Sequence, residues 1–399
     1  MTVKTISIMG ATGSIGTSAR AVIEAANSAS NSPVFAVDTV AANADVEGLA
    51  RTAKSLSAKL AVIADESRLT SLREALADTD IEVAAGDSAI IEAATRPCDK
   101  LLAAISGAAG LASTLAAVET GTTVALANKE SIVCAGALIL SAAEKSGARI
   151  LPVDSEHNAI FQVLTDQRAV EKLTITASGG PFRSTSLEAL KTATPDAAKA
   201  HPNWDMGLKN SIDSATLMNK ALEFIEAAYL FDLPETQIDV VVHPQSIVHG
   251  MAHFVDGSVL AQLGMPDMRT PIAHALAWPS RVATDVERLD LTHIGHLDFE
   301  PVDTTRFPAV GYARAACRMG NAAATVLNSA NEVAVAAFVA RTCGFLDISW
   351  VVGEMLERFP NTNFAGLPCL SLEEIDYLDK RTREDAADLL KRAPSRAGS

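Results

Sequence analysis

The chain has 399 residues, 48% of them hydrophobic, and its 33 basic and 48 acidic side chains give a formal net charge of −15. That length allows two or three domains with large cores. The acidic balance disfavours nucleic acid and anionic membrane as partners, because their phosphates need a net basic face; a small phosphorylated ligand needs only a few local donors and stays open.

Residues 1–150 alternate. Strand-like runs are TISIM, FAVDTVAA, KLAVIA, IEVAAG, KLLAAIS, TTVALAN and RILPV, with helix-like segments such as VEGLARTAKSL between them. This order predicts a parallel, doubly wound sheet. In IMGATGSIG (8–16), Gly10, Gly13 and Gly16 follow the first strand and open the first helix. That is a variant of the dinucleotide fingerprint, in which bare N–H groups at a helix start face a pyrophosphate. The only tyrosines, at 229, 312 and 377, have no Lys four residues on, which disfavours a Tyr-x-x-x-Lys dehydrogenase mechanism. ALANKES (125–131) puts Asn128, Lys129 and Glu130 at the end of the sixth strand, where open α/β sheets bind ligands. The same residues also read as a plain helix start, with Asn128 as cap and Glu130 in the first turn.

PVDSEHNAIFQVL (152–164) ends an apolar run in two carboxylates, a hydroxyl and an imidazole. On a strand, Asp154 and Glu156 share a face. Their hard oxygens favour Mg²⁺ or Mn²⁺ over zinc. The alternative, a pair of solvated loop acids, sits poorly with the apolar flanks, since unpaired buried carboxylates are costly. On a regular strand Ser155 faces away from both acids, so a site lined by all three requires the backbone to leave strand geometry near Ser155.

Beyond 165, KLTITA, IDVVVH, SIVHGMAHF and SVLAQLG predict a second, α+β domain crossed by one long helix over about 215–231. In ASGGPF (177–182), Ser178 before two glycines can offer hydroxyl and backbone donors to a phosphate. In HPNWDMG (201–207), His201, Trp204 and Met206 read as a lid, or as a local hydrophobic anchor. In SIDSATLMNKALEFIEAAYLF (211–231), Asp213 or Ser214 can cap the helix. Two apolar stripes leave Asn219, Lys220, Glu223 and Glu226 as a narrow polar strip, with Asn219 and Glu223 at i,i+4. HGMAH (249–253) and HIGH (293–296) lack the context of the motifs they imitate and read as structural histidines. A Pro-containing stretch over 279–311 reads as a linker, and the chain is helical from about 312, where SLEE (371–374) is a capping box. Five cysteines, an odd number without C-x-x-C, point to reduced thiols and a cytoplasmic protein. The start runs straight into a strand without signal-peptide shape, and no apolar run reaches about 18 residues, so no membrane span is expected.

GATGSIG, LANKES, PVDSEHNAIFQ, ASGGPFR, HPNWDMGLKNSIDSATLMNKALEFIEA, HPQSIVHGM, GMPDMRTPIAHALAWP and TVLNSANEVAVAAF occur in one order along the chain. In this the sequence resembles the 1-deoxy-D-xylulose 5-phosphate reductoisomerases. The resemblance implies conversion of that sugar phosphate to 2-C-methyl-D-erythritol 4-phosphate, with NADPH and Mn²⁺ or Mg²⁺, in non-mevalonate isoprenoid synthesis. It implies an N-terminal Rossmann-like domain over 1–150, a catalytic, metal-binding and dimerisation domain with a lid over 151–278, the linker, a helical domain over 312–399, and a homodimer. It implies Asp154, Glu156 and Glu223 as metal ligands. Lys129, Ser155, Glu156, Ser178, His201, Ser214, Asn219, Lys220 and Glu223 are implied around the substrate, with Lys129 and the three acids catalytic. Thr12, Gly13, Ser14, Ile15, Asn128, Glu130 and Gly207 are implied at the cofactor, and Asn43 joins them from the turn after the second strand. That turn departs from the family pattern: where a Lys or Arg usually stands, this chain has Ala44, followed by Asp45, and the next basic residue is Arg51. Two other readings are a different metal-dependent NAD(P) oxidoreductase of a hydroxy or keto phosphate, and a non-catalytic dinucleotide-sensing regulator.

Overall fold

The computed structural model describes residues 3–199, 207–367 and 369–393. His201, Trp204 and Met206 of the expected lid lie outside the described residues. The chain folds into two compact units that interleave in sequence: Met1–Ser131, Ile139–Asn158 and Asp267–Glu287 form the first, and Ile132–Leu138, Ala159–Pro266 and Arg288–Ser399 the second.

The first unit holds seven strands: β1 (Lys4–Met9), β2 (Phe35–Ala42), β3 (Leu60–Ile63), β4 (Glu82–Ala85), β5 (Lys100–Ala103), β6 (Thr123–Leu126) and β7 (Ile150–Pro152). They form one sheet in the order β4-β3-β2-β1-β5-β6-β7, with every pair parallel. Each strand-like run expected in 1–150 is a strand. Helices α1 (Ser14–Ser28), α2 (Val46–Leu56), α3 (Leu69–Ala75), α4 (Asp87–Ala94), α5 (Leu111–Glu119) and α6 (Lys129–Ser146) follow the first six strands in turn. Crossover helices cover both faces of such a sheet, so its central strands are apolar on both sides; Ile6, Ile8, Val40, Ala41, Leu101 and Leu102 are fully buried. The order reverses between β1 and β5, the position at which open α/β sheets bind their ligands.

After β7 the chain departs from the strand expected to carry Asp154 and Glu156. The strand stops at Pro152, and α7 (Ser155–Val163) begins three residues later. Asp154 and Glu156 therefore share no strand face. The Asp154 carbonyl accepts the Asn158 N–H at 2.8 Å, which starts the helix, and the Asn158 amide holds the Pro152 carbonyl at 2.8 Å. Acids and a hydroxyl suit a helix start, where N–H groups lack partners.

The second unit holds β8 (Val170–Ala177), β9 (Ile238–Val242), β10 (Val248–Phe254), β11 (Val259–Leu263) and β12 (Glu300–Pro301), in the order β11-β10-β8-β9-β12. Only β8 and β9 are parallel. Helices α8 (Leu187–Leu190), α9 (Pro195–Lys199), α10 (Leu208–Ala215) and α11 (Met218–Leu230) lie between β8 and β9; α12 (Arg269–Ala277) returns to the first unit. Then come α13 (Leu291–Ile294), α14 (Ala309–Met319), α15 (Asn321–Val339), α16 (Phe345–Arg358) and α17 (Leu372–Leu390). The long helix expected over 215–231 is two helices. Thr216 accepts the Met218 N–H at 3.2 Å, and Leu217 takes φ +60 between them, so Asp213 and Ser214 lie inside α10 and do not cap α11. The capping box is present: Ser371 accepts the Glu374 N–H at 3.2 Å, and Glu374 accepts the Ser371 N–H at 2.8 Å. Helix α15 is long and apolar enough to cross a membrane by length and composition, but 72% of that stretch is buried inside the fold, as in a core helix. On β10, His249 bonds the Gly264 carbonyl and His253 the Thr174 hydroxyl, the structural roles expected of them.

Candidate active site

The loop after β1 is shaped by its glycines. Gly10 has φ +98, and a Cβ there would overlap the Ala104 carbonyl beyond β5. A Cβ on Gly16 would overlap the Gly10 carbonyl, so α1 can approach the loop only with glycine at that position. Gly13 is the N-cap of α1, with Ser14 and Ile15 in its first turn and Thr12 just before it. The first turn of α1, where a helix offers N–H groups without intrahelical partners, fits a dinucleotide pyrophosphate. Asn43 is exposed after β2. Asn128, after β6, is buried and fully engaged. Its oxygen accepts the Ser131 N–H at 2.8 Å, and its amide donates to the carbonyls of Ile105 and Gly107. It is thus the helix cap that the spacing allowed and also a tie to the β5 loop. Glu130 follows in the first turn of α6, buried.

The same turn of α6 aims Lys129 at the start of α7. Its ammonium lies 2.8 Å from Asp154 Oδ2, and His157 Nδ1 lies 3.2 Å from Asp154 Oδ1. The Glu156 N–H reaches Asp154 Oδ1 at 3.3 Å, and the Ser155 hydroxyl donates to Glu156. Carboxylate oxygens of Asp154 and Glu156 come within 4.8 Å of one another. Sequence reasoning placed four of these side chains and missed His157 as the partner of Asp154. The signal was its i,i+3 spacing, visible only once a helix is drawn from Ser155.

In the second unit, Gly179 and Gly180 have φ +83 and +65, and the Gly180 N–H donates to Ser178 at 3.2 Å. A Cβ on Gly180 would stand 2.6 Å from the Ser214 carbonyl, so the Ser178 loop lies directly on the end of α10. Ser214, expected as a possible cap of the helix that carries Asn219, lies inside α10, and Asn219 lies on α11. On α11, Asn219 and Lys220 both donate to the Glu223 carboxylate. Lys220 is 4% exposed, Glu223 and Glu226 each 1%. Burying an ion pair this deeply costs several kcal/mol per ion before their attraction is counted, and carboxylates of this kind suit a hard divalent cation. Gly207 is the exposed N-cap of α10; His201 lies outside the described residues.

Models of the 1-deoxy-D-xylulose 5-phosphate reductoisomerase family match residues 6–136, and models of its C-terminal domains match 150–231 and 263–385. A 1-deoxy-D-xylulose 5-phosphate reductoisomerase of Rhodopseudomonas palustris (strain BisB5) is 52% identical over 398 residues, 99% of this chain and 96% of that one. The chain belongs to the 1-deoxy-D-xylulose 5-phosphate reductoisomerase family. The enzyme of Zymomonas mobilis is 48% identical over 394 residues, 98% of this chain and 99% of that one. A solved Zymomonas mobilis reductoisomerase in complex with NADPH superposes with a TM-score of 0.90 at 47% identity, covering 98% of this chain and 99% of that one. A DOX-P reductoisomerase in complex with NADPH, fosmidomycin and magnesium also gives 0.90, at 42% identity, covering 97% and 98%. This chain is a reductoisomerase of 1-deoxy-D-xylulose 5-phosphate, with the Rossmann-like sheet, central α+β region and C-terminal helices expected of it.

Proposed function

We propose that Asp154, Glu156 and Glu223 hold the divalent cation with which this enzyme, using NADPH, rearranges and reduces 1-deoxy-D-xylulose 5-phosphate to 2-C-methyl-D-erythritol 4-phosphate. The observation that carries the reading is the deep burial of Glu223 beside Lys220 and Asn219. A cation there offsets the desolvation of the carboxylate. The cation, Mg²⁺ or Mn²⁺, supplies a Lewis acid and a template for the sugar oxygens, and NADPH supplies the hydride. Lys129, already on Asp154, stabilises oxyanion charge or moves a proton at the reacting hydroxyl. Ser155 orients the sugar chain. Ser178, Ser214, Asn219 and Lys220 give the phosphate three neutral donors and one cation. His201 and its loop exclude water from the carbonyl compound formed in mid-reaction. Thr12, Gly13, Ser14 and Ile15, with Asn43, Asn128, Glu130 and Gly207, hold the dinucleotide.

Residues 1–150 serve the cofactor, 151–278 the chemistry and 279–311 the link to the helical segment 312–399. The enzyme works as a homodimer in the cytoplasm. Support for the dimer comes from β11, an edge strand whose hairpin exposes Val255, Val259 and Leu260 by 72%, 48% and 40%. Such an apolar edge is usually covered by another chain. Support for the compartment comes from five cysteines outside any disulfide. The test of the metal site is Mn²⁺ binding followed by electron paramagnetic resonance, without substrate. Glu223→Gln and Glu156→Gln should bind the ion at least roughly tenfold more weakly than wild type; unchanged affinity in both removes the assignment.

A further inference from the structure

In a doubly wound sheet the adenosine ribose lies over the carboxyl end of the second strand, and the charge there selects the 2′-hydroxyl or the 2′-phosphate. Here that turn is Asn43-Ala44-Asp45, with no cation and one acid. The acid is already engaged: Asp45 caps α2 and accepts the Gly48 N–H at 2.9 Å, where the helix start favours its charge. Arg51 lies about 160–200° round α2 from Leu49 and Ala53, taking 3.6 residues per turn. Those two are fully buried, so Arg51 occupies the exposed, outward face.

The neighbouring turn brings a different cation. β3 pairs with β2 in parallel, Ala42 beside Ile63. Past the strand ends the pairing continues, with the Ala64 N–H on the Ala42 carbonyl and the Asp65 N–H on the Asn43 carbonyl, each at 2.9 Å. The chain then makes one tight turn, Glu66–Arg68. The Ser67 hydroxyl and N–H hold Asp65 Oδ1 at 2.6 and 3.0 Å. Together with Arg68 they keep that carboxyl below its ordinary range. Glu66 is turned the other way, against Gly86. Arg68 lies 3.6 Å from Asp65 Oδ2, and its side chain is 57% exposed. An exposed pair of this length contributes little. The guanidinium can therefore leave it at small cost and meet a dianionic phosphate with two N–H groups.

We propose that Arg68, delivered by the turn after β3, is the residue that selects NADPH, binding the adenosine 2′-phosphate in place of the cation missing after β2. The proposal rests on NADPH being the cofactor. Its test is calorimetric titration of the full-length protein with NADPH, NADH and adenosine 2′,5′-bisphosphate. Arg68→Ala should weaken NADPH and the bisphosphate by roughly ten- to hundred-fold, the range for a charged hydrogen bond, and leave NADH unchanged. Arg68→Lys should recover part of the loss, and Arg51→Ala should match wild type. Unchanged NADPH affinity in Arg68→Ala, or an equal loss for NADH, overturns the proposal, as does a loss seen in Arg51→Ala alone. Wild type that binds NADH as tightly as NADPH overturns instead the cofactor reading beneath it.

Discussion

Glu223 is a buried acid within hydrogen-bond reach of a buried lysine and an asparagine on the same helix. That cluster was legible because apolar residues fill the rest of α11 and leave only a narrow polar strip. The pairing of His157 with Asp154 was not, because it depends on a strand ending two residues before the acid. Two outcomes follow for single residues. With Mn²⁺ limiting, Glu156→Gln and Glu223→Gln should lower kcat by roughly two orders of magnitude or more while the fold persists, the loss expected when a transition-state Lewis acid is displaced. Lys220→Ala should act mainly on KM, raising it roughly ten- to hundred-fold for the phosphorylated substrate. A wild-type KM in a folded Lys220→Ala protein means that Lys220 does not touch the phosphate.

Among the elements, the seven parallel strands were readable because each is short, apolar on both faces and followed by a helix. The break between α10 and α11 was not. No glycine or proline marks it, and Leu217 takes a left-handed conformation that a bulky side chain rarely adopts. The start of α7 was half readable: the crowding of Asp154, Ser155 and Glu156 required a departure from strand geometry, but not its position at Pro152. Helix α12 carries a consequence for pH. Burial, then the charges of Arg281 and Lys100, push the His274 imidazole down to about 4. Unfolded, it titrates near 6.5, so between those values the unfolded chain holds the extra proton. Stability is full above about 6.5 and falls as pH drops towards 4, by up to about 2 kcal/mol at pH 5. Urea unfolding at pH 7 and pH 5 should show this loss, and His274→Asn should reduce it; an equal loss in the variant means the slope comes from other groups.

For the whole molecule, the motifs announced their family because they run in order from the first strand to α15. The interleaving of the two units was hidden. It turns on α6, where Ala135 leaves helical geometry with φ −132 and ψ 24. The nearby Val133 and Cys134 carbonyls are taken by Asn321 and Thr325 of α15, nearly two hundred positions away. No local pattern announces such partners, since polar residues of a buried helix read only as polar. Assembly is testable at this scale. The proposed homodimer through β11 predicts that Leu260→Lys, which places a charge on the exposed edge strand, lowers the mass read by light scattering from a dimer's to a monomer's; a wild-type mass equal to one chain contradicts the dimer, and a variant mass equal to the wild type's contradicts this edge as its interface. The central claim, that this fold performs a metal-dependent rearrangement joined to a reduction, is tested most directly by carbon NMR of the product from 1-deoxy-D-xylulose 5-phosphate, NADPH and Mn²⁺. The expected product is the branched 2-C-methyl-D-erythritol 4-phosphate, its formation stopped by a chelator and restored by added Mn²⁺. A straight-chain reduced product, or turnover indifferent to the chelator, would contradict it.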